Sequence, residues 1–193
     1  ICHVGHSHPH VVEALARQAS ILNTNTRYLH DNILDYAERL ATYFPKPLSV
    51  VYMVCSGSEA NELALRMART VTGRRNTICI DWGYHGNTNG LIDVSPYKFN
   101  RKGGRGQPDY VEIAALPDPY RGLHKGYSES AGKAYADSVE ERIEAIRIKT
   151  GQGPAAFIAE AISGCGGQVF FPDAYLATAA AHVRKAGGLV IVD

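Results

Sequence analysis

Residues 51–69 read VYMVCSGSEANELALRMAR, and the rest of the chain falls into order around them. The apolar, β-leaning run at residues 50–54 predicts a buried strand, since continuous runs of this kind belong to strands covered on both faces. A tight turn of small residues follows, Ser56, Gly57 and Ser58. From Glu59 onward, Leu63, Leu65, Met67 and Ala68 favour a helix. Strand, turn and helix start together make an anion site. The first amides of a helix have no partner within it, and the helix dipole favours negative charge there. Gly57 lets a ligand approach the backbone, and Ser56 and Ser58 add hydroxyl donors. A bare strand–turn–helix of this kind also occurs as a plain capped helix in many α/β proteins, so the remainder of the chain has to discriminate.

The totals narrow the field. A chain of 193 residues with 45% hydrophobic and 20% charged residues has the composition of a globular protein with a substantial core. A net charge of +1 gives no reason to expect nucleic acid or an anionic membrane as a partner. No apolar run is long enough to span a bilayer. The four cysteines, Cys2, Cys55, Cys79 and Cys165, are scattered without a CxxC pair, which predicts free thiols in a cytoplasmic protein. The chain enters mid-motif at ICHVGHSHP and stops after an apolar strand at GGLVIVD, so a piece of a larger protein is expected.

Along the chain, His3, His6, His8 and His10 raise a metal site, but the turn residues Gly5 and Pro9 keep these rings off one helical face, and no metal is expected. Pro9 suits the first turn of a helix whose apolar face carries Val12, Leu15, Ala16 and Ala19. A polar break at residues 22–32 precedes a second helix, with Asp31 or Asn32 as its N-cap and Ile33, Leu34, Ala37, Leu40 and Ala41 on its apolar face. A turn at residues 73–76 leads to a buried strand at 77–81, which ends in Trp82-Gly83-Tyr84-His85-Gly86. An aromatic residue between glycines at a strand end suits a flat ligand, or simply packs beneath a loop. Residues 93–128 are rich in Gly, Pro, Lys and Arg around a short apolar run at 111–116. Lys98, Arg101, Lys102, Arg105 and Arg121 suit either solvent or a phosphorylated ligand. A helix over 131–150, a strand over 155–161 carrying Glu160, a glycine-rich loop with Cys165, a helix over 174–186 and a last strand over 189–192 complete the pattern, with Asp193 following. This alternation predicts an α/β fold, a mainly parallel sheet with helices on both faces. Ser56 to Ser58, Tyr84, Glu160 and Asp193 all follow strand ends, where open α/β sheets keep their sites.

The string SGSEANELALRMAR resembles the cofactor-phosphate segment of class III aminotransferases, and Gly5-His6-Ser7-His8-Pro9 resembles their GHxHP turn. The resemblance covers essentially the whole chain. It implies part of the large domain of a fold-type I enzyme that uses pyridoxal 5'-phosphate (PLP), in a PLP-dependent transferase fold left incomplete by residues 1–193. Gly57 and Ser58 would bind the cofactor phosphate, Tyr84 would stack on its ring with His85 beside it, Glu160 would lie at the same site, and Asp193 would pair with the pyridine nitrogen. A carboxylate there keeps the nitrogen charged, so that the ring can accept electrons. The family's Schiff-base lysine is expected beyond Asp193, since none of the seven lysines sits in its context, and so is the C-terminal small domain. The piece alone is therefore expected to be inactive.

Within the family, LNTNTRYLHDN, SPYKF, PDPYRG and AEAISGCGGQ resemble the phospho-lyase branch, which includes ethanolamine-phosphate and 5-phosphohydroxy-lysine phospho-lyases. That implies elimination of phosphate from a small phosphorylated amine to give an aldehyde, ammonia and phosphate. Arg27 and Lys98 are the candidates to hold the substrate phosphate. The alternative is a transaminase that passes an amino group from an ω-amine or amino acid to a keto acid. Cys165 stands where many amino-acid transaminases have an acidic residue, which argues for the first. The resemblance also implies a homodimer of the full protein.

Overall fold

A computed structural model of the chain describes residues 3–25 and 27–193. The chain divides into two compact units, Ile1–Met53 and Val54–Asp193, each taken here by itself.

The N-terminal unit holds two helices. Helix α1, Pro9–Ala19, starts on Pro9, whose missing N–H costs nothing at a helix start. Helix α2, Asp31–Ala41, is capped neither by Asp31 nor by Asn32 but by His30, whose Nδ1 accepts the Asn32 amide at 3.2 Å. A ring nitrogen does here what a carboxylate usually does. Asp31 moves into the first turn, where its charge still suits the dipole. The expected apolar face of α1 is exposed at Val12 and Leu15.

The strand expected at residues 50–54 is absent. These residues join no ladder, and Val50 and Tyr52 are 77% and 64% exposed. The β-leaning composition is real, but strand propensity expresses itself only where a neighbouring strand supplies hydrogen bonds and a packing surface. No such partner exists for this run among the described residues.

In the C-terminal unit the order is α3 (Gly57–Thr72), β1 (Thr77–Ile80), α4 (Asn89–Ile92), α5 (Pro96–Phe99), β2 (Val111–Ala114), α6 (Glu129–Thr150), β3 (Ala156–Ala159), α7 (Tyr175–Lys185) and β4 (Leu189–Val192). The sheet order is β2-β1-β3-β4, and every pairing is parallel. Alternate strand residues face opposite ways. Ile78, Ile80, Ala114, Phe157 and Ala159 pack with Tyr135, Val139 and Ile143 of α6 and Val183 of α7. Cys79, Val111, Ala156 and Ile158 pack with Leu65 and Ala68 of α3 and with Leu91 and Val94. Helices therefore cover both faces, as the sequence pattern requires. The run at 111–116 supplies strand β2, and the four-residue helices α4 and α5 were not foreseen.

Helix α3 begins at Gly57, two residues before Glu59. Ser56 is its N-cap and accepts the Glu59 amide at 3.2 Å, while the Glu59 carboxylate accepts the Cys55 amide at 2.7 Å. This is a variant of the capping box, in which the Glu59 side chain reaches one residue past the N-cap to the Cys55 amide. Ser56→Ala is expected to lower stability by about 1 kcal/mol, measured by urea unfolding of the full-length protein.

Candidate cofactor site

Because β1, β3 and β4 run parallel and in register, their C-terminal ends share one edge of the sheet. The start of α3 reaches the same edge. A cavity of about 410 Å³ lies there, and all six residues expected to hold the cofactor line it: Gly57, Ser58, Tyr84, His85, Glu160 and Asp193.

The anion end is built from α3. The amides of Gly57 and Ser58 donate to no group among the described residues. Ser58 Oγ accepts the Asn87 amide at 3.1 Å, which leaves its own hydrogen to donate. Gly86 presses against this turn with φ +141°, and a Cβ added there would lie 2.6 Å from Ser58 Oγ and 3.0 Å from Ser58 Cα. Only a residue without a side chain permits that approach.

The carboxylate end is built from β1 and β4. The chain leaves β1 by a tight turn in which the Gly83 amide donates to the Ile80 carbonyl at 3.0 Å. The His85 backbone is then fixed on both sides. Its amide donates to Ser95 Oγ at 3.0 Å, and its carbonyl accepts from Asn61 Nδ2 at 2.9 Å. The imidazole is wholly buried, with Nδ1 2.9 Å from Asp193 Oδ2. An ionised carboxylate only accepts, so Nδ1 carries the hydrogen. Nε2 has no partner among the described residues and faces Gly83, where a Cβ would lie 3.1 Å away. Asp193 itself is 27% exposed toward the cavity.

The two carboxyl groups of the site are pushed apart. Burial works against ionising Asp193, but hydrogen bonds from the His85 ring and the Asn61 amide outweigh it and hold the carboxyl below its ordinary value. Burial raises Glu160, a push only partly offset by its hydrogen bond from the Gly164 amide at 3.2 Å. The stabilisation due to ionised Asp193 is therefore full above the ordinary aspartate value of 3.8 and is lost as pH falls through the lower, folded value. Urea unfolding of wild type and Asp193→Asn should give a stability gap that narrows as pH drops below that range. Glu160 has the opposite sign, since stability falls as pH rises from its ordinary value of 4.5 through its raised one.

These residues suit a flat, phosphorylated, nitrogen-containing ring. Free amides and a hydroxyl at a helix start meet a phosphate, Tyr84 offers an aromatic surface, and Asp193 offers a carboxylate held ionised for a ring N–H.

The two expected substrate-phosphate residues belong to different units. Lys98 Nζ stands 5.4 Å from the Tyr84 ring centroid. Arg27 belongs to the N-terminal unit and is exposed, with its backbone amide bonded to Asn25 Oδ1 at 2.9 Å. Asn61 and Ser95 were missed. Asn61 follows Ser58 by three residues and so shares its helical face, a signal already present in SGSEAN. Ser95 had no local signal, because it reaches His85 only through the unforeseen turn of α4 and α5. Among the described residues the one cluster of three metal-type side chains is Asp137, Glu140 and His182, which does not include the N-terminal histidines.

Fold and site together define a fold-type I PLP enzyme. The class III aminotransferase family model matches residues 1–193, and the chain belongs to that family, whose members are PLP-dependent enzymes. It is 46% identical over 196 residues to an alanine–glyoxylate aminotransferase 2-like protein of Drosophila melanogaster, which covers 100% of this chain and 40% of that one. It is 40% identical over 200 residues to ethanolamine-phosphate phospho-lyase homolog 1 of Caenorhabditis elegans, covering 99% of this chain and 42% of that one. Among solved structures, a phospholyase from Arthrobacter in complex with phosphoethanolamine superposes with a TM-score of 0.84 at 32% identity, over 99% of this chain and 44% of that one. The chain spans about two fifths of the length of the curated relatives it matches.

Proposed function

We propose that the whole protein is a PLP-dependent phospho-lyase. With phosphoethanolamine, one water is consumed and acetaldehyde, ammonia and phosphate are released. 5-Phosphohydroxylysine is the second candidate substrate. The observation that carries the cofactor half of this reading is the His85–Asp193 pair, a carboxylate held ionised by a buried ring in the same cavity as the free amides of α3. Gly57 and Ser58 hold the cofactor phosphate, Tyr84 covers the ring, and Asp193 keeps the proton on its nitrogen. His85 is a positioning residue that orients Asp193, and Asn61 and Ser95 fix His85. Glu160 lines the same cavity, and burial raises its carboxyl above the ordinary value. Bound there, PLP supplies an electron sink for the amine-bearing carbon.

The lyase half is supported by the phospho-lyase relatives and by the ammonium of Lys98 beside Tyr84. Arg27 belongs to the same proposal by resemblance alone. A transaminase acting on an ω-amine or amino acid is the second reading, favoured by the likeness to the alanine–glyoxylate aminotransferase 2-like protein. The test is full-length protein with PLP and either phosphorylated amine, without any keto acid. Equal release of phosphate and ammonia supports the lyase. Amine transfer that requires pyruvate, with no phosphate released, rejects it. A cytoplasmic homodimer is part of the proposal, and light scattering of the full-length protein tests the oligomeric state.

A further inference from the structure

We propose that Lys98 and Arg101, seated on Tyr84 and Tyr97, form a cationic clamp beside the cofactor cavity that takes the phosphate dianion of the substrate and so sets the preference for phosphorylated amines. This rests on the phospho-lyase reading for its substrate, though not for its geometry.

Helix α5 is held firmly by the buried Pro96 and Phe99. The Tyr97 amide donates to the Gly83 carbonyl at 3.2 Å, which ties α5 to the turn that delivers Tyr84. Tyr84 and Tyr97 meet edge to face, with centroids 6.1 Å apart. Lys98 Nζ lies 5.4 Å from the first ring centroid and 5.6 Å from the second, and Arg101 Cζ lies 3.7 Å from that of Tyr97. The two cations thus share one aromatic platform, one edge of which lines the cavity.

Neither cation is neutralised. Among the described residues no carboxylate lies within 4.0 Å of Lys98 or Arg101, and no protein group accepts a hydrogen bond from either side chain. Lys98 is nonetheless half-buried. A cation–π contact holds such a group in place without using up its N–H donors. The connection to the cavity also appears at Cys165. Burial and the Glu160 carboxylate push its thiol up, while Arg101 and Lys98 pull it down, so the cations and a cavity residue act on the same side chain. Two adjacent positive charges suit a dianion better than a carboxylate, and the guanidinium fork matches phosphate oxygens.

The test uses full-length holoenzyme, in which the cofactor fills its own phosphate site, with Lys98→Gln and Arg101→Gln. Inorganic phosphate binding by calorimetry is the direct probe. Each variant should weaken it about 10–100-fold, as loss of a charge-assisted hydrogen bond does. KM for phosphoethanolamine should rise by a similar factor, with kcat changed less and the cofactor absorbance retained. Lys98→Arg should restore most of the phosphate affinity. Wild-type phosphate affinity in both glutamine variants overturns the clamp, as does a loss of phosphoethanolamine turnover matched by an equal loss of the cofactor absorbance. A holoenzyme that binds phosphate through these residues yet releases none from phosphoethanolamine leaves the clamp standing and rejects the lyase.

Discussion

Asp193→Asn in the full-length protein is expected to lower kcat by about 100-fold or more, the scale seen when a preorganised charge or donor aimed at the reacting group is removed. The substitution keeps the shape and removes the charge. In the wild type the carboxylate is fixed by the buried His85 ring at 2.9 Å, and its ionised state is maintained against burial. An amide at the same place cannot stabilise a positive ring nitrogen, so the electron sink is lost while the phosphate contacts of Gly57 and Ser58 remain. The signature is therefore a large fall in kcat with a smaller change in the amount of cofactor bound, read by kinetics and by the cofactor absorbance on the same samples. His85→Asn should act in the same direction but less, because Asp193 keeps its charge and loses its orientation. Equal loss of cofactor and rate in Asp193→Asn would mean that the residue only holds the fold together.

The second large effect lies at Gly86. A methyl group there meets Leu91 Cδ1 at 2.5 Å and Ser58 Oγ at 2.6 Å, and the residue also holds φ +141°. Gly86→Ala adds backbone strain to overpacking, and a stability loss of about 2–5 kcal/mol follows from the two together. The same substitution displaces Ser58, which accepts the Asn87 amide and borders the anion end of the cavity. Cofactor affinity should therefore fall with stability, and by more than in Ser56→Ala, where the cap is lost but Ser58 stays. Denaturant unfolding and cofactor titration of both variants separate the two effects.

Much of this was legible in the residues. Strands at 77–80, 156–159 and 189–192 announce themselves as short apolar runs, though only the first two are fully buried and the last is partly exposed, and the ends of α3 and α6 are marked by Gly73 and Gly151 in the left-handed conformation. The cavity residues were named through the family resemblance, and Gly57, Ser58, Tyr84, Glu160 and Asp193 also stand after strand ends or at a helix start, positions that topology brings together. The failures have physical causes too. Residues 50–54 have the composition of a strand, yet a strand is a relation between two segments, and one segment cannot reveal its partner. His30 replaced the expected caps because any acceptor at the right backbone position suffices. Most instructive is His85. Its neighbour Tyr84 stood out as the chemical residue, whereas the distance that organises the site, His85 to Asp193, spans 108 residues of sequence and leaves no local trace.

The central claim is that Asp193, oriented by His85, keeps the cofactor's ring nitrogen protonated. The direct measurement is the nitrogen-15 chemical shift of ring-labelled PLP bound to the full-length protein, in wild type and in Asp193→Asn. The account predicts a pyridinium shift in the wild type near neutral pH and a neutral-pyridine shift in the variant. A neutral ring nitrogen in the wild type, or the same shift in both proteins, would contradict it.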